Sequence, residues 1–337
     1  MKRTTLYFTD SRQVELREEE LPSGQPGQVL VQTQVSAINS GTELLIYRGE
    51  APGDLPADLT IKALEGGLGF PLKYGYATVG RVLEVGRSVA VREGDFVFAF
   101  HPHESHFWAD VDELHALPPG MNPLDAVLLP SMETAVNFLH DGAPLAGEQV
   151  VVFGQGIVGL LTTALLARLP LVRLLSFDRF ALRREASQSL GVHASLDPGD
   201  QASLDQAQGL LQPFGADLVY ELSGTPEALD QAIALTGYSG KVVIGSWYGS
   251  KRSLVDLGGR FHRSRIQLVS SQVSTVDPVL SGRWSKARRL AFAWRMAAEI
   301  RPSRFVTHRL PLQQASEAYR LLDQQPEKAI QVVLDYH

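Results

Sequence analysis

The chain of 337 residues contains no cysteine. This absence excludes disulfide bonds, thiolate nucleophiles and thiolate metal ligands together. An excess of positive charge is lacking too, because 31 Lys and Arg face 37 Asp and Glu, which gives a net charge of −6. Nucleic-acid binding requires clustered cations against phosphate, so this balance does not favour it. We expect no nucleic-acid partner.

Long apolar segments are scarce as well. The N-terminal residues become acidic by Glu15 without an apolar core, which does not fit a secretory signal. Residues 149–167 carry no charge, and this stretch approaches the length of a membrane span. The three glycines inside it, and Arg168 and Pro170 after it, favour a buried strand, turn and helix. We therefore expect a cytoplasmic protein without a membrane partner.

The pattern of apolar residues changes along the chain. Residues 1–123 contain short alternating segments separated by Gly and Pro, which predicts a compact β-barrel. Residues 124–271 alternate continuous Val/Ile/Leu strands with helices, as in a parallel sheet covered on both faces. Residues 272–337 lack that alternation and are predicted to complete the first domain. The predicted fold class is α/β, with a doubly wound parallel sheet inserted in a β-barrel domain.

The most informative motif is the glycine pattern Gly154-Gln-Gly156-Ile-Val-Gly159, which directly follows the apolar run 149–153. Asp178 ends a second apolar run nineteen residues after Gly159. A strand, this turn, a helix and a later acid form a dinucleotide-binding βαβ unit. Gly154 permits the tight turn, Gly156 lets the backbone approach a pyrophosphate, and Gly159 lets the helix pack on the sheet. A nucleotide-free sheet with chance glycines fits this context poorly.

The acid after the second strand bears on which dinucleotide is bound. Asp178 can accept both ribose hydroxyls of NAD, and its charge would repel the additional phosphate of NADP. Arg179 follows at once and can bind that phosphate, so NADP stays an alternative. We expect NAD. The predicted contacts in this unit also include Ile157 and Val158.

Four further segments resemble the medium-chain dehydrogenase/reductase superfamily. Ser-Gly-Thr-Glu at 40–43 is similar to its Cys-Gly-Thr-Asp segment, and Gly-Tyr-Ala at 75–77 to its Gly-His-Glu segment. Residues 129–134 resemble the stretch with its third zinc ligand, and 306–310 with 315–319 resemble its closing segment. This resemblance covers the whole chain. It implies a GroES-like catalytic domain, an inserted Rossmann domain, a small-molecule substrate and a homodimer.

The zinc ligands of that superfamily are not matched here. Ser40 stands in place of a ligand cysteine, Tyr76 in place of the ligand histidine, and Pro130 in place of the third ligand. All three are poor ligands for zinc. The resemblance therefore implies a zinc-independent member without a bound metal. A finer likeness, to dehydrogenases of the bacteriochlorophyllide branch, rests on Trp247-Tyr-Gly, Phe261-His-Arg and Ser270-Ser-Gln272.

The resemblance also implies roles for individual residues. Thr134 matches a threonine that touches the nicotinamide ring, and Thr42 matches the hydroxyl of a proton relay. The other cofactor contacts that we predict follow strands of the second domain and are Ser223, Ser246, Trp247 and Ser271.

Without zinc, side chains must stabilise the developing oxyanion and deliver a proton when hydride reaches a carbonyl. We expect His101 and Tyr76 to be catalytic, with Thr42 and Ser40 relaying a proton. By the resemblance, His101 falls at a pocket-lining position, and histidine exchanges protons near neutrality. A structural interpretation is also open, in which Tyr76 fills the volume of the zinc. The remaining polar residues nearby would then be ordinary loop or helix residues, namely Glu43, His103, His106 and Glu133.

The function predicted is a zinc-independent NAD(P)-dependent oxidoreductase that acts on an alcohol/ketone pair. A second enzymatic hypothesis is reduction of a quinone or an enone, where the hydride goes to carbon and no strong oxyanion stabilisation is needed. A third hypothesis, from another class, is a nucleotide-binding redox sensor without turnover. The proton donors expected near the pocket count against the third.

Overall fold

The structure, a computed structural model, describes residues 1–58, 60–86 and 91–336. It divides into two compact units, which are 1–130 with 297–337, and 131–296. The domain boundaries predicted after residues 123 and 271 stay a prediction. Within the described residues, no helix is both long and apolar enough to cross a membrane.

The two units contain different secondary structure. The strands are β1 (Lys2–Asp10), β2 (Gln13–Glu20), β3 (Gln28–Ala37), β4 (Leu72–Lys73), β5 (Thr78–Val85), β6 (Phe96–Ala99), β7 (His106–Asp110), β8 (Leu114–Ala116), β9 (Gln149–Phe153), β10 (Arg173–Phe177), β11 (Ala194–Leu196), β12 (Ala216–Glu221), β13 (Thr236–Ile244), β14 (Gln267–Ser270), β15 (Val306–Pro311) and β16 (Gln331–Asp335). The helices are α1 (Ser40–Tyr47), α2 (Pro123–Ala126), α3 (Leu129–Gly142), α4 (Ile157–Leu166), α5 (Ala181–Gln188), α6 (Gln201–Leu210), α7 (Ala228–Leu235), α8 (Arg260–Arg263), α9 (Lys286–Ile300) and α10 (Ala315–Gln324).

The first unit is built on two mostly antiparallel sheets, in which the β15–β16 pair is parallel. One sheet has the order β2-β1-β4, and the other has the order β15-β16-β3-β5-β6-β8, with β7 also paired to β3. Alternate residues of β3 and β5 face an apolar core that includes Val31, Val82 and Phe107. A second core joins β1 to α1 and α10 and includes Phe8 and Tyr319. Helix α1, which carries two predicted catalytic residues, is thereby fixed to the sheet.

The barrel predicted for this unit is not closed among the described strands. Strands β15 and β8 are the two edges of the larger sheet, and no pairing of described residues joins them. β8 has only three residues. Pro118 and Pro119 follow it, and proline lacks the backbone N–H that a further strand pairing would use. The sequence pattern predicted the strands correctly, and the described strands form open sheets rather than a closed barrel.

The second unit is the predicted doubly wound α/β fold. Its six-stranded sheet has the order β11-β10-β9-β12-β13-β14, and all its pairs are parallel. Val151 and Phe153 of β9 face one apolar core, and Val150 and Val152 face another, so both sides of the sheet are covered. The strand order reverses between β9 and β12. Dinucleotides bind at the carboxyl ends of the strands at such a reversal.

Candidate functional site

The glycine-rich turn lies at the carboxyl end of β9, beside that reversal. Gly154 has a φ of +86°, and a Cβ there would lie 2.5 Å from the Leu222 carbonyl oxygen. A Cβ on Gly159 would lie 1.9 Å from the Gly154 carbonyl oxygen. Side chains are therefore excluded at both positions by neighbouring backbone, as the sequence motif predicts.

The middle glycine of the motif faces open space. Gly156 caps the N-terminus of α4, and the nearest atom to a Cβ at Gly156 would be Nη1 of Arg183, 3.9 Å away. Backbone N–H groups at a helix N-terminus attract anions. Ile157 and Val158 form the first turn of this helix. The residues present thus fit the pyrophosphate of a dinucleotide.

Asp178 contacts the glycine-rich turn directly. Its carboxylate accepts hydrogen bonds from the backbone N–H groups of Gln155 (2.7 Å) and Phe180 (2.9 Å). Nη1 of Arg183 lies 4.0 Å from the same carboxylate. Burial lowers the pKa of Arg183, and Asp178 opposes that shift. Arg179 is exposed, and its guanidinium lies 5.7 Å from the ring centroid of Phe180. One acid and two arginines therefore surround the end of β10.

The loops after β12 and β13 are joined to each other. The Gly224 N–H donates to the Ser246 hydroxyl (2.8 Å), and Ser223 donates to Glu221 from both its N–H and its hydroxyl. Trp247 is 37% exposed, so its ring is available to a ligand. These loops hold three of the predicted cofactor contacts.

The other two predicted contacts lie on or beside α3. Thr134 is in its second turn. The Ser271 hydroxyl donates to Asp141 and accepts from the Asn137 amide (3.0 Å). Glu133, beside them, is buried and pairs with the buried Arg289 (3.0 Å). Ser271 is therefore part of a polar cluster within this unit, and its contact with a cofactor stays a prediction.

Two predicted catalytic residues of the first unit contact each other. The Tyr76 hydroxyl donates to the Thr42 hydroxyl at 3.3 Å. Burial raises the pKa of Tyr76 well above 10, and the nearby Tyr74 and Glu43 add to this shift. The phenol therefore stays protonated over the working pH range. Ser40 lies in the same first turn of α1 as Thr42, without a side-chain hydrogen bond to it among the described residues.

His101 lies in a different environment. Its ring stacks on Phe107 with 3.8 Å between centroids, and Nδ1 lies 3.3 Å from the Pro102 carbonyl oxygen. Burial, with smaller contributions from Lys73 and Arg3, lowers the pKa of His101 to about 3. The imidazole is therefore neutral near pH 7. It lines a pocket of about 360 Å³ within the first unit, and neither Tyr76 nor Thr42 belongs to the described lining of this pocket.

The structure also reveals a buried polar chain that the sequence did not predict. Nε2 of His103 lies 3.0 Å from the Glu43 carboxylate, and Nδ1 lies 2.6 Å from the Ser36 hydroxyl. Glu43 also accepts from the Tyr319 hydroxyl and from the Asn39 N–H (2.7 Å). A Cβ on Gly75 would lie 2.7 Å from the His103 ring, so only glycine leaves room for it. In the sequence, Gly75 was the only local feature that pointed to a ring packed at this place.

A metal site is not evident in the described part of the chain. No group of three or more His, Cys, Asp or Glu side chains among those residues is placed to hold an ion. Ser40 lies in α1, Tyr76 precedes β5, and Pro130 lies in α3. The absence of zinc from the protein stays a prediction.

Comparison with known proteins agrees with this geometry. A family model described as zinc-binding dehydrogenase matches residues 158–292. L-Threonine 3-dehydrogenase of Bacillus velezensis is 24% identical, over 91% of this chain and 91% of its own length. The 2-desacetyl-2-hydroxyethyl bacteriochlorophyllide A dehydrogenase of Cereibacter sphaeroides is 23% identical, over 100% of this chain and 99% of its own. The latter agrees with the finer likeness seen in the sequence.

A solved structure shares the fold over nearly the whole length. The alcohol dehydrogenase of Thermus sp. ATN1 superposes with a TM-score of 0.78 at 22% identity, covering 99% of this chain and 100% of that one. The glycine-rich turn, the strand order and these relatives point in one direction. Over nearly its whole length the chain is similar to the medium-chain dehydrogenases/reductases, and it is an NAD(P)-dependent oxidoreductase.

Proposed function

We propose that this protein is a zinc-independent oxidoreductase that prefers NAD and interconverts a small alcohol and its ketone. The hydrogen bond from Tyr76 to Thr42 carries the proposal, because it joins a proton donor to a second hydroxyl. Both residues stand at positions where the superfamily has a zinc ligand and a relay hydroxyl. The relatives named above are dehydrogenases, which supports this reaction class.

The dinucleotide, when bound at the glycine-rich turn, supplies or accepts the hydride. The chain must then stabilise the negative charge that develops on the substrate oxygen. The Tyr76 phenol donates its O–H to that oxygen and transfers the proton as the alcohol forms. The Thr42 hydroxyl returns a proton to the phenolate, and Ser40, nearer the start of α1, continues the relay. In the direction of oxidation each proton moves the opposite way.

His101 remains a second candidate for proton transfer. Its neutral imidazole would act as a hydrogen-bond partner of the substrate, because its pKa of about 3 makes the protonated form scarce near pH 7. A His101→Ala variant that keeps full turnover removes it from the mechanism. We expect that outcome, because the described lining of the pocket around His101 does not include the Tyr76–Thr42 pair.

The reaction class and the metal are tested together. We expect NAD-dependent oxidation of one or more secondary alcohols by protein purified without added metal, with zinc far below one equivalent by elemental analysis. The assay should compare a panel of alcohols with a panel of quinones and enones. Stoichiometric zinc contradicts zinc independence, and turnover only of quinones or enones contradicts the alcohol/ketone reaction. Cofactor binding without turnover on either panel favours the redox sensor.

The preference for NAD is tested through Asp178. We expect NADH to bind about tenfold more tightly than NADPH, because the carboxylate disfavours a 2′-phosphate beside it. Asp178→Ala should remove most of that preference, because the negative charge is gone. It should also weaken NADH binding, because the Gln155 and Phe180 N–H groups of the turn lose their acceptor. Quenching of tryptophan fluorescence measures both constants.

The matched control for that experiment is Asp205→Ala. Asp205 is exposed on α6 and accepts a hydrogen bond from the exposed Gln201 side chain, so its removal should change neither constant. A clear preference of the unmodified protein for NADPH would contradict the role given to Asp178 and would favour Arg179 and Arg183 as phosphate ligands.

We further propose that the protein is a cytoplasmic homodimer. The resemblance supports both points, and the edge strand β14 leaves one side of the parallel sheet without a partner strand among the described residues. Light scattering after gel filtration should give twice the chain mass of 36.9 kDa. A monomer at micromolar concentration contradicts the dimer.

A further inference from the structure

The Glu221 carboxylate is buried at the place where the strand order reverses. Glu221 is the last residue of β12, and its side chain is 0% exposed. β12 pairs with β9, so Glu221 lies opposite Phe153, the residue before the glycine-rich turn. The carboxylate is therefore close to the crevice in which a doubly wound sheet binds its dinucleotide.

Among the described residues, three hydrogen-bond donors face this carboxylate. One oxygen accepts from the Ser223 N–H (2.8 Å) and the Ser223 hydroxyl, and the other accepts from the Tyr248 hydroxyl. No lysine or arginine of the described residues forms an ion pair with Glu221. A buried carboxylate is usually accompanied by a cation, because desolvation of an isolated charge is costly. The negative charge of Glu221 is thus held by neutral hydrogen-bond donors, without an ion pair among the described residues.

The groups that bind Glu221 belong to the loops where we predict the cofactor contacts. Ser223 follows β12, and Tyr248 follows Ser246 and Trp247 after β13. The Ser246 hydroxyl links the two loops through the Gly224 N–H. In a doubly wound sheet each half binds one mononucleotide, and the glycine-rich turn with Asp178 belongs to the first half. The loops around Glu221 therefore belong to the half that takes the nicotinamide.

We propose that Glu221 favours the oxidised form of the bound cofactor. The nicotinamide ring is positively charged when oxidised and neutral when reduced, so a nearby fixed anion attracts only the oxidised form. This inference rests on the proposed cofactor site. A unit charge about 10 Å away at an effective dielectric constant of about 20 changes a binding constant by about tenfold. Glu221 thus biases the enzyme toward binding NAD⁺ and releasing NADH, which suits alcohol oxidation.

The test is the ratio of two dissociation constants, measured by calorimetry on the full chain. Glu221→Gln keeps the shape and the acceptor for Ser223 but removes the charge. We expect NAD⁺ binding to weaken about tenfold while NADH binding changes little. An equal change of both constants, or no change in either, overturns the proposal.

Two substitutions of Tyr248 separate charge from loop structure. Tyr248→Phe keeps the charge and loses one hydrogen bond, so the ratio should stay at the unmodified value even if both constants rise. Tyr248→Lys places a cation against Glu221 and should shift the ratio as Glu221→Gln does, so the test remains available if Glu221→Gln does not fold. A shift with phenylalanine as large as with lysine overturns the proposal. If the unmodified protein binds neither NAD⁺ nor NADH, the proposed function fails together with this inference. If Glu221→Gln weakens NAD⁺ and NADH binding equally, only this inference fails.

Discussion

Substitution of Gly159 by alanine should abolish measurable NADH binding and lower the free energy of unfolding by about 3 kcal/mol. The added Cβ would lie 1.9 Å from the Gly154 carbonyl oxygen and 2.8 Å from its carbonyl carbon. Both are backbone atoms, so no rotation of a side chain relieves the overlap. The Gly154 backbone cannot shift away, because its N–H donates to the Phe177 carbonyl at 2.7 Å and its α-carbon faces the Leu222 backbone. Helix α4 must move off the sheet instead, which opens the phosphate-binding turn.

The matched control is Gly209→Ala on α6. Gly209 is exposed, and no atom lies within 4 Å of the position that a Cβ would take. Alanine is a better helix former than glycine by about 1 kcal/mol, so this variant should be as stable as the unmodified chain or more so. Urea denaturation gives the stabilities, and fluorescence quenching gives the affinities for NADH. If Gly159→Ala has the same stability and the same affinity for NADH as Gly209→Ala, Gly159 is not required for packing α4 against the turn.

The second unit was predictable because its signals are local in sequence. All five residues of β9 are buried, as an uninterrupted apolar run indicates for a strand covered on both faces. The glycines, the helix after them and the acid at the end of β10 all lie within one βαβ unit. Gly154 and Gly159 each meet a steric requirement that only glycine satisfies. The fold class and the cofactor turn therefore followed from short segments.

The polar chain of the first unit was not predictable in this way. His103 contacts Glu43 and Ser36, which are 60 and 67 residues away in sequence. No periodicity relates them, because strand pairing and helix docking bring them together only in the folded chain. His101 and His103 are equivalent by composition, yet they face different environments because they lie in the irregular segment between β6 and β7, where strand alternation does not set the direction of side chains. Whether a sheet closes into a barrel is not predictable from strand patterns either, since these do not specify which edges meet.

Tyr76 and Thr42 were predicted together for a different reason. Neither lies in a periodic segment that would single it out, and only the resemblance assigned them to one site. The structure then supplied the contact, at 3.3 Å between the two hydroxyls. What the resemblance did not provide is the surrounding support. Glu43 follows Thr42 directly, and its carboxylate accepts from the Asn39 N–H at the start of α1. Tyr319 and His103 contact the same carboxylate.

Substitution of Tyr76 by phenylalanine should lower kcat by about 10²- to 10⁴-fold, the range that one positioned proton donor contributes. The ring volume is kept, so the NADH dissociation constant and the stability should change little. Because burial keeps the pKa of Tyr76 well above 10, the donor is protonated at all working pH values. The rate of ketone reduction should therefore show no decline from Tyr76 up to pH 9, and the variant should follow a parallel profile at a lower level. Thr42→Val should give a smaller loss, because it removes only the group that returns the proton.

The control for Tyr76 is Tyr238→Phe, which removes a hydroxyl from a side chain that is 71% exposed in the second unit. It should keep full turnover. The same comparison decides between catalysis and space filling, since phenylalanine fills the volume of tyrosine without its proton. Full activity in Tyr76→Phe means that the side chain only occupies the place of the zinc. A large loss of kcat in Tyr76→Phe, with a smaller loss in Thr42→Val, means that the two hydroxyls deliver the proton. In zinc-containing members of the superfamily the zinc site has that role.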